Sequence, residues 1–249
     1  MSFSRSGATG ILSQSQIYSI QYTLAQVSYM NEREAQYIMN KYGLTLDTTL
    51  SAKDSTGQNR VWVNNNPGNG LGDAVVSCRG TQSFNDVKTD IFAVLLGMKE
   101  PNLDFKNVKF ITLAAENKYG TVDAVGHSLG GTLASYSSAN GKIVTFNKGA
   151  GLFALFDKTP PNEVDFRCRF DIVSVLSYLE KDQKVTLVND NLIDIPLFIM
   201  SPTGVKVNTV IQAHGLTNFE TFLEYALPVY KKPPPIAPPV ILLPPIFIK

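Results

Sequence analysis

Apolar and polar positions along the chain follow two periods. Ile17, Tyr18, Ile20, Leu24, Val27 and Met30 recur at helical spacing, and residues 13–42 are expected to form two helices that cover a sheet. Asn31-Glu-Arg-Glu34 supplies a cap residue with a Glu three positions on, and Tyr42-Gly43 closes the second helix. Arg60–Asn64 and Ala74–Cys78 read as strands. The turn-rich Asn65-Asn-Pro-Gly-Asn-Gly-Leu-Gly-Asp73 joins them as a hairpin of neighbours. Phe84, Val87, Ile91, Phe92, Val94, Leu95 and Met98 give residues 82–98 one apolar helical face. That helix either packs in the core or walls an acyl-binding site, with Phe84, Ile91 and Leu95 as the candidate substrate contacts. Val108–Glu116 is expected to be a helix despite its β-branched residues.

In the second half, Thr121–Val125 reads as a strand, Leu129–Asn140 as a helix rich in small residues, and Lys142–Phe146 as a strand. Small residues let a helix lie close on a sheet. Val164, Phe166, Cys168 and Phe170 alternate with Asp165, Arg167 and Arg169, a period-two strand that ends at Asp171. Val185–Val188 and Leu197–Met200 are weaker strand candidates, and a last helix is expected over residues 216–227. Strands alternating with helices predict an α/β fold, a mainly parallel central sheet with helices on both faces. Residues 1–230 form one domain in this reading. Residues 231–249 form an apolar tail with half of the chain's 14 prolines, which excludes a helix or a central strand and favours an extended polyproline-like form.

Composition changes this picture little. The chain of 249 residues is 44% apolar and 17% charged, enough for a sizeable core. A net charge of +1 offers no basic field for nucleic acid. Cys78 and Cys168 sit in strand-like runs and are expected to be buried free thiols. The first ten residues contain no apolar stretch of the signal-peptide kind, and no run of eighteen apolar residues occurs, so a cytoplasmic location is the default expectation.

Candidate chemistry centres on Gly126-His-Ser-Leu-Gly130, a G-x-S-x-G pentapeptide between a strand and a helix. This is the pattern of a nucleophile elbow, in which Ser128 stands on a strained turn with its hydroxyl exposed. So short a motif also arises by chance, and its weight rests on context. Ligands of such sheets bind beyond the carboxyl ends of the strands, where Thr81, Ser128 and Asp171 are expected. A serine needs a base, and the chain has two histidines. His127 lies inside the elbow, aimed away from the Ser128 hydroxyl, which leaves His214. Asp171 is the candidate carboxylate to orient His214, with Asp190 and Asp194 as competitors. The order Ser, Asp, His is that of α/β-hydrolases. The N–H groups of Leu129 and Thr81 are the candidate oxyanion hole. This chemistry needs no metal and no cofactor, and the scattered histidines and cysteines form no metal-ligand motif.

These segments resemble the class 3, fungal-type triacylglycerol lipase family. Gly126-His-Ser-Leu-Gly-Gly131 is similar to its signature. Ser77-Cys-Arg-Gly-Thr81 with Lys88-Thr-Asp-Ile91 resembles its "FRGT/S … TDL" segment. Thr145-Phe146 resembles the start of "TFG.P", Asp171-Ile-Val-Ser174 the "D.V" acid motif, and Ala213-His-Gly215 the late histidine. The likeness covers roughly residues 70–220 in the family's order. It implies an α/β-hydrolase fold, the triad Ser128, Asp171 and His214, and an oxyanion N–H at Thr81. Val87 stands where the family has Trp, and Asn147 follows Phe146. Thr81 and Ser128 stand 47 positions apart, a shortened lid region by the family's measure.

The resulting expectation is a serine hydrolase for lipid carboxylic esters, of lipase or phospholipase type. Its expected partners are an ester substrate and a membrane or lipid-droplet surface. Pro235-Ile-Ala-Pro238 adds a P-x-x-P pattern that a protein groove could take. Two other readings stay open: an esterase for soluble short-chain esters, and a docking protein whose triad is idle.

Overall fold

The computed structural model describes residues 11–80, 103–149, 158–168 and 185–188. The expected helix over 82–98, the strand Leu197–Met200, the helix over 216–227 and the tail 231–249 lie outside the described residues. Among the described residues seven strands form one sheet in the order β1 to β7. They are β1 (Leu44–Leu46), β2 (Asn59–Asn64), β3 (Ala74–Cys78), β4 (Val122–His127), β5 (Ile143–Phe146), β6 (Glu163–Cys168) and β7 (Val185–Val188). β1, β2 and β3 pair antiparallel, while β3 through β7 pair parallel. The expected hairpin and the mainly parallel sheet are both present, with β1 added at its edge by a segment whose sequence carries little signal.

Helices lie on both faces. α1 (Gln14–Val27) starts at a capping box in which Ser13 accepts from the Gln16 N–H and the Gln16 side chain accepts from the Ser13 N–H. α2 (Glu32–Met39) is capped by Asn31, as the pattern implied. On this face Ile17, Ile20, Leu24 and Val27 pack over Val125, Val144, Phe146 and Phe166. Phe146 stacks on Phe166 with centroids 5.3 Å apart, and Tyr18 and Tyr22 meet these rings edge-on. The opposite face carries α4 (Leu103–Tyr119) and α5 (Leu129–Tyr136), packed on Val76, Cys78, Val122, Ala124 and Ile143. α4 begins earlier than the Val108–Glu116 pattern marked, and α5 ends before Asn140.

Because both sheet faces are covered, strand polar groups must find partners inside. Trp62 is fully buried and donates its Nε1–H to Ser77 Oγ at 2.9 Å. Asp123, at the start of β4, accepts from the N–H groups of Gly72 at 3.0 Å and Lys142 at 2.7 Å, which ties the strand origins together. Cys78 and Cys168 are buried thiols outside any disulfide, as expected. Burial pushes the Cys78 thiol well above its ordinary range. No described helix is long and apolar enough to cross a membrane.

A short helix α3 (Thr48–Ser51) is capped by Asp47, which accepts from the Leu50 N–H at 3.0 Å. Asp47 also accepts from Lys118 Nζ at 2.7 Å and the Tyr119 hydroxyl at 2.6 Å, so it pins the end of α4. Burial opposes its ionisation, but these donors outweigh burial and bring the carboxyl from 3.8 to about 2. A carboxyl held lower in the folded state contributes stability above its unfolded value, and loses it as pH falls through the folded one. Asp47→Asn is therefore expected to lower the urea midpoint at neutral pH. The gap between variant and parent should close as pH falls from 3.8 toward 2, and a pH series of urea unfolding curves measures it.

Candidate active site

The parallel strands β3, β4, β5 and β6 all point one way, so Cys78, His127, Phe146 and Cys168 end at the same edge of the sheet. Ser128 stands at that edge, between β4 and α5, at φ 58° and ψ −129°. A side chain other than glycine is held there only by its surroundings, at a cost of about 1–3 kcal/mol. The surroundings are visible. The Ser128 N–H donates to the Phe146 carbonyl at 3.1 Å. The Ser128 carbonyl accepts from Gly131 N–H at 2.9 Å, and from Thr132 and Gly149 N–H at 3.2 Å each. Thr132 Oγ1 closes the loop by donating to the Gly149 carbonyl at 2.6 Å.

The flanking glycines are steric necessities. A Cβ on Gly126 would stand 2.1 Å from the Gly130 oxygen, and one on Gly130 would stand 2.2 Å from the Cys78 oxygen. A Cβ on Gly80 would meet the Tyr29 hydroxyl at 2.5 Å, the His127 oxygen at 2.8 Å and Ser128 Cβ at 3.3 Å. The exit of β3 therefore runs beside the serine with room there only for a glycine. Leu129 opens α5, where first-turn N–H groups lack intrahelical acceptors and carry the positive end of the helix dipole.

His127 is buried on the α1 side, with Nδ1 3.0 Å from the Tyr29 hydroxyl, in keeping with a ring turned away from the serine. Asn147 adopts φ 44°, a left-handed conformation that asparagine tolerates, at the position where the lipase-like segment has glycine. Its side chain accepts from the Cys168 N–H at 2.8 Å and so binds the end of β5 to β6.

Of the residues proposed from sequence, Ser128 and Leu129 lie together at the elbow. Thr81, Phe84, Ile91, Leu95, Asp171, Asp190, Asp194 and His214 lie outside the described residues. Sequence reasoning missed a buried charged layer beside α5. Lys148 Nζ meets Glu163 Oε1 at 2.6 Å, and Arg167 Nε meets Asp165 Oδ2 at 2.5 Å, all four side chains being essentially inaccessible. Burial raises the Asp165 carboxyl to about 6 against the pull of Arg167 and Lys148. The period-two pattern identified these polar positions on β6 but not that they would be covered. Among the described residues no group of three or more His, Cys, Asp and Glu side chains could hold a metal ion.

The model of one family, described as "Phospholipase-like: Tle-like phospholipase domain", matches residues 17–217. The chain belongs to this family. Membership places this phospholipase-like domain among lipid-hydrolysing enzymes of the lipase and phospholipase type. The match begins in α1 and reaches three residues past His214, leaving the proline-rich tail outside. No curated protein matches the chain.

The elbow of this phospholipase-like domain generates two expectations. Gly126→Ala and Gly130→Ala each force backbone apart and should lower the unfolding midpoint by an amount worth several kcal/mol, as overpacking does. Ser128→Gly relieves the positive φ and should raise stability by about 1 kcal/mol. Denaturant unfolding monitored by the fluorescence of Trp62, the one tryptophan, measures both.

Proposed function

We propose that this protein is a serine hydrolase of the α/β-hydrolase fold that cleaves the carboxylic esters of lipids through an acyl-enzyme. The observation that carries the reading is Ser128 on a backbone held at φ 58° between β4 and α5, inside a phospholipase-like domain. The segment-by-segment likeness to class 3 lipases supports His214 as base and Asp171 as the carboxylate that orients it.

In this mechanism His214 takes the Ser128 proton as the hydroxyl attacks the ester carbonyl. The Leu129 and Thr81 N–H groups hold the oxyanion. His214 then protonates the departing alcohol, activates a water and releases the acyl group, while Asp171 stays ionised. The closeness of Gly80 to the serine, which leaves no space for a Cβ, supports Thr81, one residue on, as the second donor. Phe84, Ile91 and Leu95 are proposed to receive the acyl chain. The substrate is a triacylglycerol or phospholipid, met at a membrane or lipid-droplet surface, and the tail is proposed to bind such a surface or a protein groove. The steps use side chains, backbone N–H groups and water, without a cofactor.

Hydrolysis of phospholipid and p-nitrophenyl esters of graded chain length tests this reading. Activity should favour long acyl chains and fall by about 10⁴-fold or more in Ser128→Ala, as loss of a catalytic nucleophile does, with the fold retained. An optimum at acetyl would replace the lipid substrate with soluble esters. Absence of hydrolysis across the series would leave a docking protein.

A further inference from the structure

Tyr29 follows α1, on the layer that covers the sheet, yet its hydroxyl reaches the elbow. It accepts from the Gly80 N–H at 3.1 Å and lies 3.0 Å from His127 Nδ1. The two rings meet edge-on, with centroids 5.9 Å apart. A phenol has one proton and two lone pairs. The Gly80 N–H can only donate, so it takes a lone pair of the phenol oxygen. The bridge to Nδ1 is then completed either by the phenol proton or by an Nδ1–H that donates into the second lone pair, and in both cases the hydroxyl joins Gly80 to His127. Burial holds the Tyr29 phenol well above its ordinary range, against the pull of the Gly80 bond and the Arg79 charge, so this proton is retained.

The chain around Tyr29 is clamped. Arg60, from β2, donates through Nη1 to the Val27 carbonyl at 2.9 Å and through Nη2 to the Met30 carbonyl at 2.7 Å. These bonds satisfy carbonyls at the end of α1 and fix the backbone on both sides of Tyr29. The Tyr29 hydroxyl, the His127 carbonyl and Ser128 Cβ crowd the space that a Cβ on Gly80 would need.

We propose that Tyr29 is a positioning residue of the hydrolytic site: its hydroxyl ties Gly80, at the exit of β3, to His127 in the elbow and so holds together the backbone on the two sides of the oxyanion site. The inference rests on the proposed function, with Ser128 as nucleophile and the Thr81 N–H as an oxyanion donor. An oxyanion donor stabilises the transition state more than the bound ester, so displacing it lowers kcat and spares KM.

Tyr29→Phe keeps the ring and removes the bridge. Deleting an oxyanion donor costs about 10²–10³ in kcat; here the donor is displaced, and a fall of about 10–100-fold is expected with KM within about twofold. Tyr22→Phe is the control, because it removes a hydroxyl from the same helix layer, one that accepts from Gln26 Nε2 at 2.8 Å. It should lower the melting temperature comparably and leave kcat unchanged. Nitrogen-15 NMR reads the bridge independently of activity. The chain has two histidines, and a His214→Asn sample assigns them. The His127 Nδ1 resonance should shift in Tyr29→Phe and stay in place in Tyr22→Phe. An Nδ1 resonance unchanged in Tyr29→Phe, or a kcat in Tyr29→Phe no lower than in Tyr22→Phe, would overturn the proposal. Retained hydrolysis in Ser128→Ala would instead overturn the nucleophile assignment and the kinetic part of this inference, while the histidine spectrum would still decide the bridge.

Discussion

Three backbone segments meet at the elbow with no room for a Cβ between them. The β3 exit passes Gly130 so closely that a methyl there would overlap the Cys78 carbonyl, and Gly126 faces Gly130 in the same way. This closeness holds Ser128 at positive φ, because its N–H and carbonyl are both bonded to neighbours that cannot move apart. The strain is kept by hydrogen bonds from β5, α5 and the Gly149 turn. Everything else in the sheet serves to bring those segments together: the parallel register of β3, β4 and β5, and the small residues of α5 that let the helix lie on them.

The same packing explains the chemistry of the two sheet faces. Toward α1 the sheet presents aromatic and aliphatic residues, with Phe146 and Phe166 stacked beneath Tyr18 and Tyr22. Toward α5 the sheet is apolar over β3 and β4 and carries charge at its β5 and β6 end. Glu163 accepts from Lys148 and from Ser135 on α5, and Asp165 pairs with Arg167 on its own strand. Charges taken out of water are tolerated only when paired, and losing one partner of such a pair leaves an uncompensated ion. The α5 layer is therefore held to the β5 and β6 end of the sheet by directional bonds as well as by contact. Asn147 reinforces that join, since it reaches from the left-handed turn after β5 to the backbone of Cys168.

Legibility in the sequence followed periodicity and local bonding. The strands at Arg60–Asn64, Ala74–Cys78 and Lys142–Phe146, the cap at Asn31 and the elbow itself carry patterns of two, three or four residues' reach, and each stands close to where those patterns put it. Leu44–Leu46 was not legible, because a three-residue edge strand has too few positions to show a period. The start of α4 at Leu103 was hidden because Pro101 and Asn102 give a break that the apolar spacing after Val108 outweighs. Asp165 and Arg167 were legible as one side of a strand, but alternation does not say whether a second layer covers that side.

The sequence by itself determined the α/β alternation, the glycines that a nucleophile elbow requires, and the lipase-like order of Thr81, Ser128, Asp171 and His214 that marks this as a candidate ester hydrolase. Those features are local in sequence or depend only on order. Tertiary structure alone decided that Gly80 lies beside Ser128 with no space for a Cβ, that Arg60 clamps the end of α1, and that Tyr29 joins Gly80 to His127. Tyr29 is separated from these partners by 51 and 98 residues. No periodicity connects positions so far apart, and only the parallel stacking of β3 beside β4 under α1 brings them within a hydrogen bond.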